Sequence, residues 1–299
     1  MSLQDTPPVR GRFAPSPTGP LHLGSLVAAL GSWMMARSQG GEWLVRVEDL
    51  DPPREVRGAA DAQLRALDAF GLRSDGPVWR QSGRGERYAE VLDGLLASGL
   101  AFACRCSRTE LADAGGIHRR CVPTRAHRPA AIRLRVPDRV QGFIDQVQGP
   151  FAQNLGQEVG DFVLRRADGL WAYQLAVVVD DADQGITQVV RGADLLDSTP
   201  RQVFLQRLLG FASPTYSHLP LVLGEDGAKL AKSTGSLPLD DRAPWPALQA
   251  AWRFLGQDSQ ALVPAADPET ALQSALPHFR PEAIARVHGA ALPAAPETR

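Results

Sequence analysis

His22, Gly24 and Ser25 open an apolar stretch directly after a turn that carries Pro15, Pro17, Gly19 and Pro20. Prolines and glycines at that density leave the turn little freedom. A strand, a stiff turn and a helix N-terminus in that order make an anion site, because free backbone N–H groups and the helix dipole both favour phosphate. The imidazole of His22 can add a hydrogen bond to a phosphate oxygen. Far along the chain, Lys229 and Lys232 follow a turn at Gly224–Gly227 and suit the charge that develops on phosphates during a displacement. Cys104, Cys106, His118 and Cys121 offer thiolates and an imidazole, a full tetrahedral complement for structural zinc. Their spacing, C-x-C-x11-H-x2-C, differs from common zinc-finger spacings, and buried free cysteines are the plain alternative; His127 is a further candidate ligand. Glu48, Asp49 and Asp51 follow a short β-type run, and spacing alone does not choose which of them holds an ammonium group. Arg191 ends another such run and can read a carboxylate bidentately, with an ion pair to Asp194 as the alternative.

These groups need a frame. Leu26, Val27, Leu30, Trp33 and Met34 trace one face of a helix that Gly40 and Gly41 terminate. Trp43–Val47 reads as a strand, and ligands collect beyond the carboxyl ends of strands in open parallel sheets. Asp51, just before Pro52 and Pro53, can alternatively cap the next helix. Two amphipathic helices follow, one through Leu64, Leu67 and Phe70, the other through Tyr88, Val91, Leu92, Leu95 and Leu96. Ser107 and Glu110 form a capping box. Residues 132–136, 142–147 and 161–166 read as short strands. The run 171–181 is mostly apolar and reads as buried, and its periodicity does not separate helix from strand. Residues 186–190 form a strand, and Ser198 or Thr199 caps a helix with Pro200 at its first position. Trp245, Leu248, Trp252 and Leu255 make one more helix, and the Ala/Pro-rich end of the chain is expected to be a loose tail.

Net charge is −1 over 299 residues, so no global basic field advertises nucleic acid, and any RNA contact must use a local patch. Arg119, Arg120, Arg125, Arg128, Arg133 and Arg135 supply such a patch, unless they are simply a solvated surface. No secretory segment or long apolar run is present, so no membrane association is expected. The odd, clustered cysteines fit a metal site in a reducing compartment better than a disulfide framework, and the expected location is cytoplasmic.

Arg12 to Ser25 resembles the first signature of class I aminoacyl-tRNA synthetases in its glutamyl form, with Ser25 where that signature ends in His. VRVEDLDPPRE at 45–55 resembles the same family, and KLAKS at 229–233 resembles its KMSKS loop with Leu230 and Ala231 replacing Met and Ser. The resemblance implies an α/β class I synthetase fold, a Rossmann-type nucleotide-binding domain. Its first half would be residues 1–100 and its second half 166–225. Residues 101–165 would be a zinc-containing insertion like that holding the tRNA acceptor end, and 226–299 the KMSKS-like loop with a short helical C-terminal region. It also implies roles. Glu48 would bind the amino group of L-glutamate, Tyr173 and Arg191 match glutamate-binding positions, and Arg12, Phe13, Ala14, Pro15 and Ser16 would form the other wall of that pocket. His22, Gly24, Ser25 and Lys232 contact ATP, and His22, Lys229 and Lys232 stabilise phosphate charge during glutamyl-adenylate formation.

Within that class the short chain, the wording PLHLGSLVAALGSW at 20–33 and the cysteine set are similar to glutamyl-Q tRNA(Asp) synthetases. That family attaches glutamate to the queuosine base in the anticodon of tRNA(Asp). Its zinc site reads C-x-C…Y-x3-C, whereas here His118 falls at the Tyr position and the last spacing is one shorter. Residues 234–299 are too few for an anticodon-reading domain like that of a full glutamyl-tRNA synthetase, so none is expected. The expectation is thus an ATP-dependent ligase with one structural zinc, magnesium accompanying ATP, queuosine-containing tRNA(Asp) as acceptor and a monomeric state. A compact glutamyl-tRNA synthetase charging a tRNA 3′ end, an adenylyltransferase of another HxGH family and a non-catalytic tRNA-binding module are the alternatives.

Overall fold

The structure, a computed structural model, describes residues 8–112, 115–122, 128–224, 227 and 239–293. Lys229, Lys232, Ser233, Arg125, His127 and the last residues of the chain lie outside the described residues.

A seven-stranded sheet organises the molecule in the order β3-β2-β1-β9-β10-β6-β7. Its strands are β1 (Arg10–Phe13), β2 (Glu42–Val47), β3 (Trp79–Arg80), β6 (Val140–Asp145), β7 (Gly149–Asn154), β9 (Gln188–Gly192) and β10 (Thr215–Leu219). All neighbours are parallel except the hairpin β6–β7. The chain leaves β1 through helix α1 (Leu23–Arg37) to reach β2 on one side, while β9 flanks β1 on the other. The direction of winding therefore reverses at β1, and the crevice beyond its carboxyl end is where a doubly wound sheet binds ligands.

Helix α1 is buried from Leu26 to Ala36 except at Ala28, not along one stripe as its periodicity implied. It is covered on both sides, by β1 and β9 and by α6 (Pro244–Phe254), and a helix apolar all round is a buried one. A Cβ on Gly31 would lie 2.6 Å from Leu219 Cδ1, so any other residue there would force Leu219 to shift. Gly40 adopts φ +67° and turns the chain towards β2, as expected of a glycine past a helix end.

Helices α2 (Ala59–Ala69) and α3 (Gly85–Ala97) stop before Gly71 and Gly99, as read from sequence. The ambiguous run resolves as helix α4 (Tyr173–Asp183), buried from Leu175 to Asp181. Helix α5 (Thr199–Leu209) has no side-chain cap from Ser198 or Thr199, because a 3-10 turn at Ala193–Ser198 leads directly into it. Pro52–Arg54 is also a 3-10 turn without a side-chain cap, and Asp51 pairs instead with Arg54 and Arg166. The Ser107–Glu110 box is closed in both directions, over turns rather than a regular helix.

Two further features are topological. A separate antiparallel sheet, β4 (Ala101–Cys104), β5 (Ala131–Leu134) and β8 (Phe162–Arg165), carries the cysteine region. Between β5 and β8 the chain adds β6 and β7 to the edge of the main sheet. The C-terminal stretch is folded up to residue 293: α7 (Pro268–Ala275), Phe279 and Ile284 join the core over α1, and β12 (Gly289–Ala291) pairs with β11 (Leu221–Leu223). Apolar burial holds these segments despite their Ala/Pro content. Among the described residues no helix is long and apolar enough to cross a membrane.

Candidate functional site

A cavity of about 290 Å³ opens at the carboxyl ends of β1, β2 and β9. Arg12 and Phe13 from β1, then Ala14, Pro15 and Ser16, form one wall. His22, Gly24 and Ser25 at the start of α1 form the floor, and Glu48, Tyr173 and Arg191 close the far side. The turn is pinned from behind by buried Gln63, which donates to the carbonyls of Ser16 (3.0 Å) and Gly19 (2.7 Å). Gln63 sits on α2 and carried no signal of its own in the sequence.

His22 is the N-cap of α1, and its Nδ1 accepts the Ser25 N–H at 3.3 Å. One of the helix's first N–H groups is thus taken by His22. With Nδ1 accepting, the neutral ring carries its hydrogen on Nε2, the form that donates to an anion.

Glu48 is tied to the turn through its N–H to Pro15 O (2.9 Å) and to Arg46 through its carboxylate (3.2 Å). Burial pushes its carboxyl above the usual 4.5, against the opposing pull of Arg46 and Arg12. Beneath it lies an ion network that the sequence did not reveal. Asp181, from α4, binds Arg12 (3.1 Å) and Arg46 (2.8 Å), all three side chains being buried. Burial opposes the Arg46 charge, yet Asp181, Glu48 and Asp180 hold it protonated well above its ordinary value. Asp180 also accepts from Gln81 and from Tyr88. The network locks β1, β2 and α4 together behind the cavity.

Arg191 is buried, and its fork is largely committed to the protein. Nε donates to His218 Nε2 (3.0 Å), and Nη2 to Thr199 Oγ1 (2.9 Å) and Leu195 O (3.3 Å). Nη1 donates to the Tyr173 hydroxyl at 3.0 Å. The group offered to the cavity is therefore an Arg191 Nη1 edge with a Tyr173 O–H beside it, not a freely bidentate guanidinium. A second cavity of about 430 Å³ shares Ala14, Ser16, Glu48, Tyr173 and Leu195 with the first and runs on past Asp51, Arg54, Arg166 and Trp171.

Lys229 and Lys232 lie outside the described residues, and the chain is described on both sides of them. Val222 lines the first cavity, and Leu239 N donates to Leu21 O (3.1 Å) at the foot of α1.

Away from the cavity, the ligand atoms of Cys104, Cys106, His118 and Cys121 all lie within 4.8 Å of one another. His118 Nε2 is 3.3 Å from Cys104 Sγ and 3.6 Å from Cys121 Sγ, so His118 completes the set. Its Nδ1 bonds Asp161 Oδ2 at 2.9 Å, which aims Nε2 at the sulfurs as a carboxylate behind a metal-bound histidine does. Asp161, just before β8, is a partner the sequence reading missed. The Cys104 and Cys106 sulfurs also accept backbone N–H groups, from Cys106 (3.4 Å) and Val122 (3.1 Å). Burial and the neighbouring Cys104 push the Cys121 thiol up to about 11, and burial raises Cys106 as well. Thiols crowded this way resist ionising together unless a cation is among them. The donor set and its outer hydrogen bonds fit a tetrahedral metal.

Comparison with known proteins places the chain in a family. The chain matches the family described as tRNA synthetases class I (E and Q), catalytic domain, over residues 8–125 and 117–243. It is 62% identical over 281 residues to a protein of Xanthomonas campestris named glutamyl-Q tRNA(Asp) synthetase, with 94% of each chain covered. A Pseudomonas putida protein of the same name is 54% identical over 278 residues, covering 92% of this chain and 94% of its own. Among solved structures, a glutamate-tRNA synthetase from Elizabethkingia anophelis superposes with a TM-score of 0.79 at 27% identity, across 96% of this chain and 68% of that one. A glutamate tRNA ligase from Elizabethkingia meningosepticum, solved with its amino acid, gives 0.77 at 27% identity, covering 96% and 67%. The chain belongs to the class I tRNA synthetases for glutamate and glutamine, and within them to the glutamyl-Q tRNA(Asp) synthetase family.

Proposed function

We propose that this chain activates L-glutamate with ATP and transfers it to the queuosine base of tRNA(Asp). The observation that carries the reading is the cavity itself. It brings a carboxylate reader (Arg191 Nη1 with the Tyr173 hydroxyl) and an ammonium acceptor (Glu48) into one cavity with a helix N-terminus capped by His22.

Glutamate lies with its side-chain carboxylate on Arg191 and Tyr173 and its ammonium on Glu48. Its α-carboxylate then faces the start of α1. ATP lies over Gly24 and Ser25, with magnesium accompanying its phosphates. The α-carboxylate attacks the α-phosphorus, pyrophosphate leaves, and glutamyl-adenylate forms. No covalent enzyme intermediate is needed, so the chain works by positioning and by meeting phosphate charge. His22 Nε2–H and the helix N-terminus meet it from below, and Lys229 and Lys232 from the segment bounded by Val222 and Leu239. Those two are the only lysines in the chain, against 30 arginines. A compact, strongly hydrated ammonium at these positions alone supports a phosphate-seeking role. In the second half-reaction a nucleophile on the acceptor displaces AMP from the adenylate. The second cavity, continuous with the first around Glu48 and Tyr173, is the approach for that acceptor. We assign the Cys104, Cys106, His118 and Cys121 cluster to one structural zinc that ties the end of β4 to the segment carrying His118 and Cys121.

The test is transfer of labelled glutamate to three RNAs: tRNA(Asp) with queuosine, the same tRNA without it, and tRNA(Glu). Label on the queuosine form alone is the expected result. Label on tRNA(Glu) makes the chain a compact glutamyl-tRNA synthetase, and absence of glutamate-dependent ATP–pyrophosphate exchange overturns the reading.

A further inference from the structure

Arg191 does not set its own direction. The register of β9 on β10 pairs it with His218, and that of β10 on β6 pairs Tyr216 with Asp145. Arg191, His218 and Asp145 therefore form a row across the ends of three parallel strands, each at most 6% exposed. The row has a direction. Asp145 Oδ1 accepts the N–H groups of Val147 (3.0 Å), Gln148 (2.8 Å) and His218 (3.1 Å), and Oδ2 lies 2.6 Å from His218 Nδ1. Burial would raise the Asp145 carboxyl, but the bonds from His218 and Gln148 outweigh it and hold it below its usual value. An ionised carboxylate only accepts, so His218 Nδ1 carries a hydrogen. Burial and Arg191 hold the ring neutral, which leaves the lone pair on Nε2. That lone pair takes the Arg191 Nε–H at 3.0 Å and faces the Thr199 hydroxyl at 3.3 Å. In the other tautomer, or in the imidazolium, an N–H would confront the guanidinium.

We propose that Asp145 and His218 are positioning residues for substrate carboxylate recognition: they fix the imidazole tautomer, which locks the Nε edge of Arg191 and turns its Nη1 edge towards Tyr173 and the cavity. The proposal rests on the reading of Arg191 as the carboxylate reader. It makes discrimination of an acid from its amide depend on two buried groups that touch no substrate. If the Nε edge loses its acceptor, the guanidinium rotates and the geometry that favours a carboxylate over a carboxamide is lost.

The experiment compares His218→Asn with His218→Gln in ATP–pyrophosphate exchange, with glutamate and glutamine as substrates. The oxygen of glutamine can stand where Nε2 stands; that of asparagine reaches only the Nδ1 position. His218→Asn should raise the KM for glutamate about tenfold, the cost of one unsatisfied buried charged donor. It should narrow the preference over glutamine and leave the KM for ATP unchanged, while His218→Gln restores most of the loss. If the asparagine variant does not fold, Asp145→Asn serves. Its amide has one acceptor oxygen for donors on both sides, so it must lose either His218 or the turn, and the KM for glutamate should rise while that for ATP holds. Equal behaviour of the two His218 variants, or a parallel rise in the KM for ATP, overturns the proposal. A wild-type chain with no glutamate-dependent exchange overturns the underlying reading instead.

Discussion

Replacing Asp181 by asparagine tests whether the network behind the cavity holds the fold and the site together. Asp181 is the shared carboxylate of two buried arginines, with Arg46 at 2.8 Å and Arg12 at 3.1 Å. Removing one partner of a buried ion pair costs about 3–5 kcal/mol, because a charge is left uncompensated in a poorly solvated place. Arg46 keeps Gln184 at 2.7 Å and Glu48 at 3.2 Å, and asparagine keeps one acceptor oxygen, so the low end applies. A loss of about 3 kcal/mol is a fifth or more of a typical domain's stability, and at about 2–4 °C per kcal/mol it lowers the melting temperature by about 6–12 °C. The pH dependence supplies a second reading. Burial would raise the Asp181 carboxyl, but Arg12 and Arg46 hold it below its usual 3.8 in the folded chain. A depressed folded value means the stabilisation is complete above the unfolded value and is lost as pH falls below it. The gap in melting temperature between wild type and Asp181→Asn should therefore be widest near neutral pH and close below about pH 4. Thermal melts by circular dichroism across that range decide the matter. A gap under about 2 °C at neutral pH would mean that the arginines find other partners at no cost, and the network would not be a brace.

Glu48 titrates in the opposite sense. Burial raises its carboxyl above 4.5, and only the ionised form can hold an ammonium. The KM for glutamate should rise on acidification at a higher pH than an ordinary glutamate residue would give, and Glu48→Gln should show the raised KM at every pH. Tyr173→Phe removes the hydroxyl that bonds Arg191 Nη1 and should raise the KM for glutamate about five- to tenfold with little change for ATP; unchanged kinetics would place the substrate carboxylate elsewhere. Cys104→Ser should abolish stoichiometric zinc and lower the melting temperature, and metal analysis that finds no zinc in the wild type removes the assigned site. Because Lys229 and Lys232 are the only lysines, amine acylation of the intact chain should stop exchange, with ATP protecting both side chains from modification as read by mass spectrometry.

What could be read from sequence was what is local. The turn from Pro15 to Pro20, the helix start at His22 and the acidic run after Val47 are contiguous, so residue types and spacing carry them. The donors of the metal cluster are also near one another in sequence. The supports are not. Arg12 meets Asp181 across 169 residues, and His118 meets Asp161 across 43. Asp145 and His218 are a lone aspartate and a lone histidine in short strands, types that occur in such places without any role. The apolar run at 171–181 gave no period because both sides of α4 are covered. The return of β6 and β7 to the main sheet depends on a single parallel pairing, Tyr216 with Asp145, that no nearby residue announces.

The central position of β1 has a consequence for how the chain is made. Gly11 pairs with Gln188, and α1 is covered by α6, which begins at Pro244. A ribosome adding roughly 5–20 residues per second takes about 10–40 s to deliver that cover after α1 has emerged. Through that interval the side of α1 that α6 covers has no lid. Synthesis of this protein is therefore a race between elongation and self-association of its first helix. Yield of soluble chain should follow the supply of nascent-chain chaperones and fall when translation is slowed between Arg37 and Pro244, even though the finished fold keeps that helix dry.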